Sequence, residues 1–377
     1  MVYICNTRVC YSNKIMKIAT LFGGSIFLVL LLTSCRGQEH DSLGFDPPVF
    51  PETKHVAVTS FSNDFLFGNS RQMVDVGDYI VILTYHENKY LSVFEKETGT
   101  YIKSFGSYGR GPGEFLSPPQ IRVNENKSVL YAFQNVSGMS DYRSYDVENI
   151  LHDSRVLPVR EDKIELYLDE GNRFPGSATH FLAWKGKRLF VRNLSHRFEI
   201  QDILGNTISL YDKYPIVLLP QALDSTDFHG SYLFSTIALK PDMSRFVIAS
   251  WVGCILEIFT IDVSGTIEKE VEKRFHPPVF TVENRQSNYY VNGQTIHGIN
   301  DLSVTEEFIY AKYNGKIYYK EQYSTSTIAV FDWSGNPLRR YILDWKIRNF
   351  IVDAQRNRCY LVGDDANDEM LLGYFDL

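Results

Sequence analysis

His180 and His297 are the side chains best suited to carry a proton near neutral pH, because an imidazole titrates in that range. They sit in separate strand-like stretches, Thr179 to Trp184 and Ile296 to Val304, and nothing in their spacing joins them. Isolated histidines of this kind read as polar lining more readily than as an acid/base pair. Asp301 is the acid best placed on such a stretch. Calcium takes about six to eight oxygens, several of them carboxylates, so a single acid predicts a mixed, hydrogen-bonding lining with no metal and no cofactor. Two tyrosine-rich segments, Asn288 to Gln294 with Tyr289 and Tyr290, and Tyr313 to Tyr323 with Tyr318, Tyr319 and Tyr323, offer large faces with one polar end. Such faces suit sugar or peptide recognition. Arg348 and Arg110 add cations; the glycine-rich run around Arg110, Gly109 to Gly113, leads into Pro118-Pro119 and a strand. A phosphate cradle requires a helix start, so that run reads as a sharp β-turn. The sequence carries no Gly-x-Ser-x-Gly elbow, His-Glu-x-x-His helix, phosphate loop or Cys-x-x-Cys pair.

A different chemistry is written at Cys35. Lys14 and Lys17 precede an apolar run, Ile18 to Leu32, interrupted by Gly23, Gly24 and Ser25, which is shorter than a membrane span and ends in small residues. Leu32-Thr-Ser-Cys35 resembles the bacterial lipobox, which implies cleavage before Cys35 once its thiol carries diacylglycerol. Residues 1–34 are then a lipoprotein signal peptide, with Met16 a candidate start, and residues 35–53 carry the lipidated Cys35 and a polar tether. Cleavage leaves 343 of 377 residues and removes Arg8, Lys14 and Lys17, taking the net charge from -7 to -10. An acidic chain has no electrostatic attraction for anionic lipid or nucleic acid, so the membrane partner is reached through the lipid of Cys35. The expected location is the cell envelope, at the periplasmic or surface face of the outer membrane. Cys254 and Cys359 lie in separate apolar runs and are expected to be unpaired thiols.

The elements that must position these residues recur. Asp78 to Leu83, Ser128 to Phe133, Arg188 to Asn193, Arg245 to Ser250, Glu307 to Lys312 and Arg358 to Gly363 are six copies of one β-rich pattern. Each precedes a second strand ending near an acid, such as Phe198 to Asp202 or Ile328 to Asp332, and most of these lead into a Gly-containing turn. The 24 Tyr and 25 Phe fit pleated, half-buried strands. Hairpins at this period predict an all-β, six-bladed propeller over residues 54–377. A strand at Lys54 to Phe61 is expected to complete the last blade and close a monomeric ring, hiding open edges. The innermost strands are expected at Arg71 to Val76, Pro119 to Val123, Thr179 to Trp184, Leu233 to Leu239, Ile296 to Val304 and Arg348 to Asp353. These put Arg71, Gln72, Gln120, Arg122, His180, Ser235, His297, Asn300, Asp301, Arg348 and Asn349 on the channel wall. Asn314-Gly315 reads as a type I′ turn that would project a tyrosine ribbon.

Phe105-Gly-Ser-Tyr-Gly-Arg-Gly-Pro-Gly-Glu-Phe-Leu-Ser-Pro-Pro119 resembles the blade junction of NHL-repeat propellers, and above all that of the TolB-like six-bladed propeller lipoproteins of Bacteroides-type bacteria. The resemblance implies a lipid-anchored envelope propeller and assigns no activity. The reading is therefore a binding module for a glycan, a peptide or an envelope protein. The alternative is a hydrolase or lyase of the calcium-dependent six-bladed type, with its active site in the channel.

Overall fold

A computed structural model describes residues 44–62, 64–136, 139–164, 178–192, 196–215, 235–282, 289–291, 294–317 and 325–377. The segment expected to be a signal peptide, and Cys35, lie outside these residues. Among the described residues the strands form six blades of four. Blade 1 comprises β3 (Gln72–Val76), β4 (Tyr79–His86), β5 (Lys89–Glu95) and β6 (Tyr101–Ser107). Blade 2 comprises β7 (Gln120–Val123), β8 (Val129–Val136), β9 (Met139–Asp146) and β10 (Arg160–Ile164), with a short helix α1 (Val147–His152) between the last two. Blade 3 comprises β11 (Ala178–Trp184), β12 (Lys187–Arg192), β13 (Phe198–Gln201) and β14 (Thr207–Tyr211). Blade 4 comprises β15 (Ser235–Leu239), β16 (Arg245–Ser250), β17 (Cys254–Ile261) and β18 (Ile267–His276). A hairpin of β19 (Phe280–Val282) and β20 (Tyr289–Val291) follows.

Blades 5 and 6 share one long strand. β21 (Ile296–Val304), β22 (Phe308–Ile317), β23 (Thr325–Asp332) and the first part of β24 (Pro337–Asp353) make blade 5; the rest of β24, β25 (Arg358–Asp364) and β26 (Met370–Asp376) belong to blade 6. The expected N-terminal strand is divided between these two blades. β1 (Glu52–Val56) lies parallel to β24 on the outer edge of blade 5, and β2 (Thr59–Ser60) pairs with β26 as the fourth strand of blade 6. Val58 N–H donates to Asp344 at 2.9 Å where the chain steps from one blade to the next. The chain is held on the ring ahead of residue 54: Asp46 N–H donates to the Arg274 carbonyl at 2.8 Å, and the Phe50 ring sits 5.6 Å from that of Phe331.

Period-two alternation leaves each blade apolar on both faces, so each must be covered by two neighbours. Six apolar clusters accordingly lie at the six blade interfaces. Val81, Phe105, Leu130 and Tyr145 join blades 1 and 2, Phe133, Phe181 and Phe190 join 2 and 3, and Leu189, Phe198 and Phe246 join 3 and 4. Leu256, Ile309 and Phe331 join 4 and 5, Val330, Tyr341 and Leu361 join 5 and 6, and Phe61, Phe94, Tyr360 and Leu372 join 6 back to 1. No blade face is left bare, which is the physical content of closure. Cys254 and Cys359 are free thiols inside two of these clusters, and burial pushes both well above the ordinary thiol range.

The acids that end the third strands of blades 3, 4 and 5, and Asp365 after the second strand of blade 6, have a local cause. Asp202, Asp262, Asp332 and Asp365 each accept two backbone N–H bonds across their turns, for example Ser334 at 2.9 Å and Asn336 at 2.8 Å onto Asp332. This side-chain mimicry of a turn is why Asp recurs there. The glycine-rich run is a turn, as its sequence indicates: Glu114 Oε2 accepts from Gly111 N–H at 2.7 Å, Phe115 N–H donates to the Ser107 carbonyl at 2.8 Å, and Phe115 is fully buried.

Asn314-Gly315 departs from expectation. Both residues lie inside β22, which runs on to Ile317 opposite Ile296. Gly315 has φ +68° but Asn314 does not, so the type I′ geometry, which needs both, is not formed. The pair marks a register shift instead, with Asn314 Oδ1 accepting from Lys316 N–H at 3.2 Å.

Candidate functional site in the central channel

The six inner strands, β3, β7, β11, β15, β21 and the second part of β24, neighbour one another in cyclic order and enclose a channel. Side chains staple four of the six junctions. Ile121 N–H donates to Gln72 Oε1 at 2.9 Å, Gln120 Nε2 donates to the Thr179 carbonyl, Phe350 N–H donates to Asp301 Oδ2 at 3.2 Å, and Asn349 Nδ2 donates to Ser70 at 2.8 Å. Gln72, Gln120, Asp301 and Asn349, four of the eleven polar residues expected on the channel wall, are thus committed to holding strands that have no ladder between them. A cavity of about 550 Å³ occupies the channel toward the back face, where the inner strands end. Val74, Leu182, Ile237, Leu302 and Val352 contribute apolar wall, Gln72, Arg122 and Asp301 its inner end, and Asp75, Lys127, Lys240, Glu306 and Asp353 its rim.

The rim charges are paired. Lys96, fully buried, reaches Asp75 of its own blade and Asp353 of blade 6, each at 2.7 Å; Lys127 meets Asp75 at 2.7 Å, and Lys240 meets Glu306 at 2.9 Å. Arg356 bridges Asp353 at 3.1 Å and Asp78 at 2.7 Å. Burial alone would raise the Asp353 carboxyl, but the Lys96 ammonium and the Arg356 groups hold it at about 2. These pairs also tie blade 1 to blade 6, so the ring closes on charge as well as on β2.

Deeper in, burial governs titration. It pushes the Asp301 carboxyl up to about 6, against the pull of Lys312, two backbone N–H groups and Arg122. It lowers Arg122 to about 10, with Asp301 opposing, and lowers Lys312 as well. His180 falls to about 4 through burial and then Arg122; His297 falls to about 4 through burial and then Lys312. Both imidazoles are neutral at pH 7. The cation beside His180 is Arg122 of blade 2, and the one beside His297 is Lys312 of blade 5. Asp301 spends both oxygens on backbone N–H groups, Leu302 at 3.0 Å and Phe350 at 3.2 Å. Arg348 pairs with Asp364 at 2.7 Å, and its carbonyl accepts from Lys312 Nζ. Among the described residues no three His, Cys, Asp or Glu side chains form a group able to hold a metal.

Of the tyrosines, Tyr289 and Tyr290 belong to β20, opposite Val282 and Thr281. Tyr318, Tyr319 and Tyr323 lie outside the described residues. Arg110 is exposed on the blade 1 to blade 2 turn, away from the channel lining. Lys312, Lys96 and the rim residues Asp75, Lys127, Lys240, Glu306 and Asp353 were not singled out by the pattern. A signal existed for Lys312, a charge closing the strand Glu307-Phe-Ile-Tyr-Ala where other copies end in Leu83 or Phe133. The arrangement as a whole can bind: a walled cavity, apolar in the middle and polar at both ends, is the form small-ligand sites take.

Solved structures of similar fold agree with this architecture. A protein described as exported from Bacteroides fragilis NCTC 9343 superposes with a TM-score of 0.52 at 14% identity, over 86% of this chain and 99% of its own. A DUF4221 family member from Bacteroides vulgatus ATCC 8482 gives 0.50 at 12%, over 88% and 97%. The β-propeller domain of Cps50 (Swd1) from Myceliophthora thermophila gives 0.53 at 9%, over 85% and 99%. At these identities the likeness is one of fold. Among curated proteins none matches the sequence. The family profile described as TolB-like 6-blade propeller-like matches residues 49–355, and with six blades traced strand by strand, the chain belongs to the TolB-like six-blade propeller family.

Proposed function

We propose that this protein is a lipid-anchored binding module of the cell envelope, taking a glycan chain or a peptide segment of an envelope partner into the back mouth of its channel. The observation that carries the reading is the cavity of about 550 Å³ on which all six inner strands converge. Its rim charges are already neutralised, so a ligand there is held by shape and apolar contact more than by charge. The lipobox at Cys35 and the likeness to an exported Bacteroides protein support the envelope location.

The test is a glycan and peptide array probed with the full chain in detergent, beside Thr236→Trp, which fills the cavity from a half-buried wall position. Ligands retained by the wild type and lost by the variant support the reading; identical patterns, or no ligand, overturn it. Anchoring is tested separately. Cys35→Ser is expected to move the protein from the membrane to the soluble fraction, and mass spectrometry should find diacylglycerol on Cys35 of the wild type only.

A further inference from the structure

A second cleft, of about 360 Å³, opens on the front face of blade 1, at the opposite ends of the strands from the channel cavity. Arg71, Thr84, Tyr85, Tyr90 and Tyr108 line it. The three tyrosines come from two loops that one residue holds together. Glu87 and Asn88, at φ 46° and 63°, form the primed turn between β4 and β5. Asn88 Oδ1 accepts from the Tyr85 hydroxyl at 2.9 Å, and its carbonyl accepts from Tyr108 N–H at 3.0 Å. Tyr108 is also placed by the buried Phe115, with which it forms a parallel bridge. The Tyr85 and Tyr90 rings lie 5.5 Å apart at 56°, with the buried Tyr90 supporting the exposed Tyr85. Behind them Gly68 has no room for a side chain, since a Cβ would stand 2.5 Å from the Tyr85 carbonyl oxygen.

Two polar groups here lack partners. Arg71 is exposed, and its guanidinium makes no ion pair or hydrogen bond with a described residue, although the chain has a net charge of -7. The Thr84 hydroxyl is 1% exposed and unpaired. An unsatisfied buried hydroxyl costs about 1–3 kcal/mol, a debt that a ligand can cancel. Tyr85 and Tyr108, by contrast, are half exposed, at 50% and 54%.

We propose that this cleft binds a hexuronate, a pyranose carrying a carboxylate. The exposed Tyr85 and Tyr108 faces pack on the C–H faces of the ring, Arg71 pairs with the carboxylate in two-pronged geometry, and Thr84 meets a ring hydroxyl. A free carboxylate at a peptide C-terminus would also suit Arg71, but its apolar side chain would be pressed on the unpaired Thr84 hydroxyl and leave it unsatisfied. Chemistry therefore favours the sugar.

The experiment is calorimetric titration of the full chain in detergent with glucuronate, galacturonate, mannuronate, their neutral parent hexoses and a short peptide with a free C-terminus. At least one hexuronate is expected to bind about tenfold tighter than its neutral parent, the strength of a charge-assisted pair. Arg71→Gln is expected to erase that preference with the thermal midpoint unchanged, Tyr108→Ala to weaken every sugar, and Thr236→Trp in the channel to change nothing here. Uronates binding no tighter than neutral sugars, a preference that survives Arg71→Gln, or the peptide binding more tightly than every uronate would each overturn the proposal.

Discussion

The two hollows of this propeller differ in how their charges are satisfied. At the back rim every cation named has an acid against it, and the buried Lys96 has two, at 2.7 Å each. At the front of blade 1, Arg71 has none and Thr84 keeps an unmade hydrogen bond. Charges that close a ring must be balanced within the chain, because removing one leaves a buried partner exposed to the low dielectric. Under the proposal, the Arg71 charge is left open for a ligand. The difference teaches that charge alone does not mark a binding site in a propeller; the state of its partners does.

The largest effect should come from breaking the balanced side. Lys96→Met is expected to lower stability by about 3 kcal/mol, the lower end for a broken buried pair because Lys127 and Arg356 still cover the two acids. Chemical denaturation measures it, and a loss below about 1 kcal/mol would mean that β2 and the apolar interfaces close the ring alone. Next is Asn88→Ala, which removes the Tyr85 bond and disfavours a left-handed backbone, for an expected cost of about 1–2 kcal/mol. Its sugar affinity should fall with it, whereas ligand binding in the channel should not.

The pH dependence belongs to the channel. His180 and His297 are depressed from 6.5 to about 4, so the stability tied to their neutral forms is present above 6.5 and lost as pH falls toward 4. Asp301 is raised from 3.8 to about 6, and its contribution has the opposite sign, present below 3.8 and lost as pH rises through 6. Two histidines outweigh one acid, so the denaturation midpoint should rise between pH 4 and 6. Asp301→Asn should steepen that rise and His297→Asn should flatten it. The smallest effect is Arg71→Gln, which orphans nothing and should leave stability within about 0.5 kcal/mol.

Much of this was legible in the sequence. Strands and their order follow from apolar alternation, and five of the observed inner strands begin and end within two residues of those read; the sixth, read from Arg348 to Asp353, is the end of a longer strand that begins at Pro337. The turn acids, Asp202 to Asp365, are local and readable for the same reason. Lys54 to Phe61 alternates like one strand, but which neighbour each half meets depends on the twist between blades 5 and 6, a tertiary fact. Asn314-Gly315 carries a turn signal that β21 overrides by pairing through it. The candidate sites were less legible. Arg122 and Asp301 were named, but their state depends on burial at the meeting of blades 2 and 5. The front cleft gathers residues 71, 84–90 and 108, brought together by the Arg71 N–H bond to the Leu83 carbonyl, the two hydrogen bonds of Asn88 and the Tyr108–Phe115 bridge.

The most direct measurement is the array with three proteins side by side: wild type, Thr236→Trp and Arg71→Gln. The account predicts ligands retained by the wild type, one set lost with the filled channel and a carboxylated-sugar set lost with the missing cation, the latter also weakening as salt is raised. A wild type that retains nothing, or three identical patterns, would contradict the central claim that this propeller is a binding module.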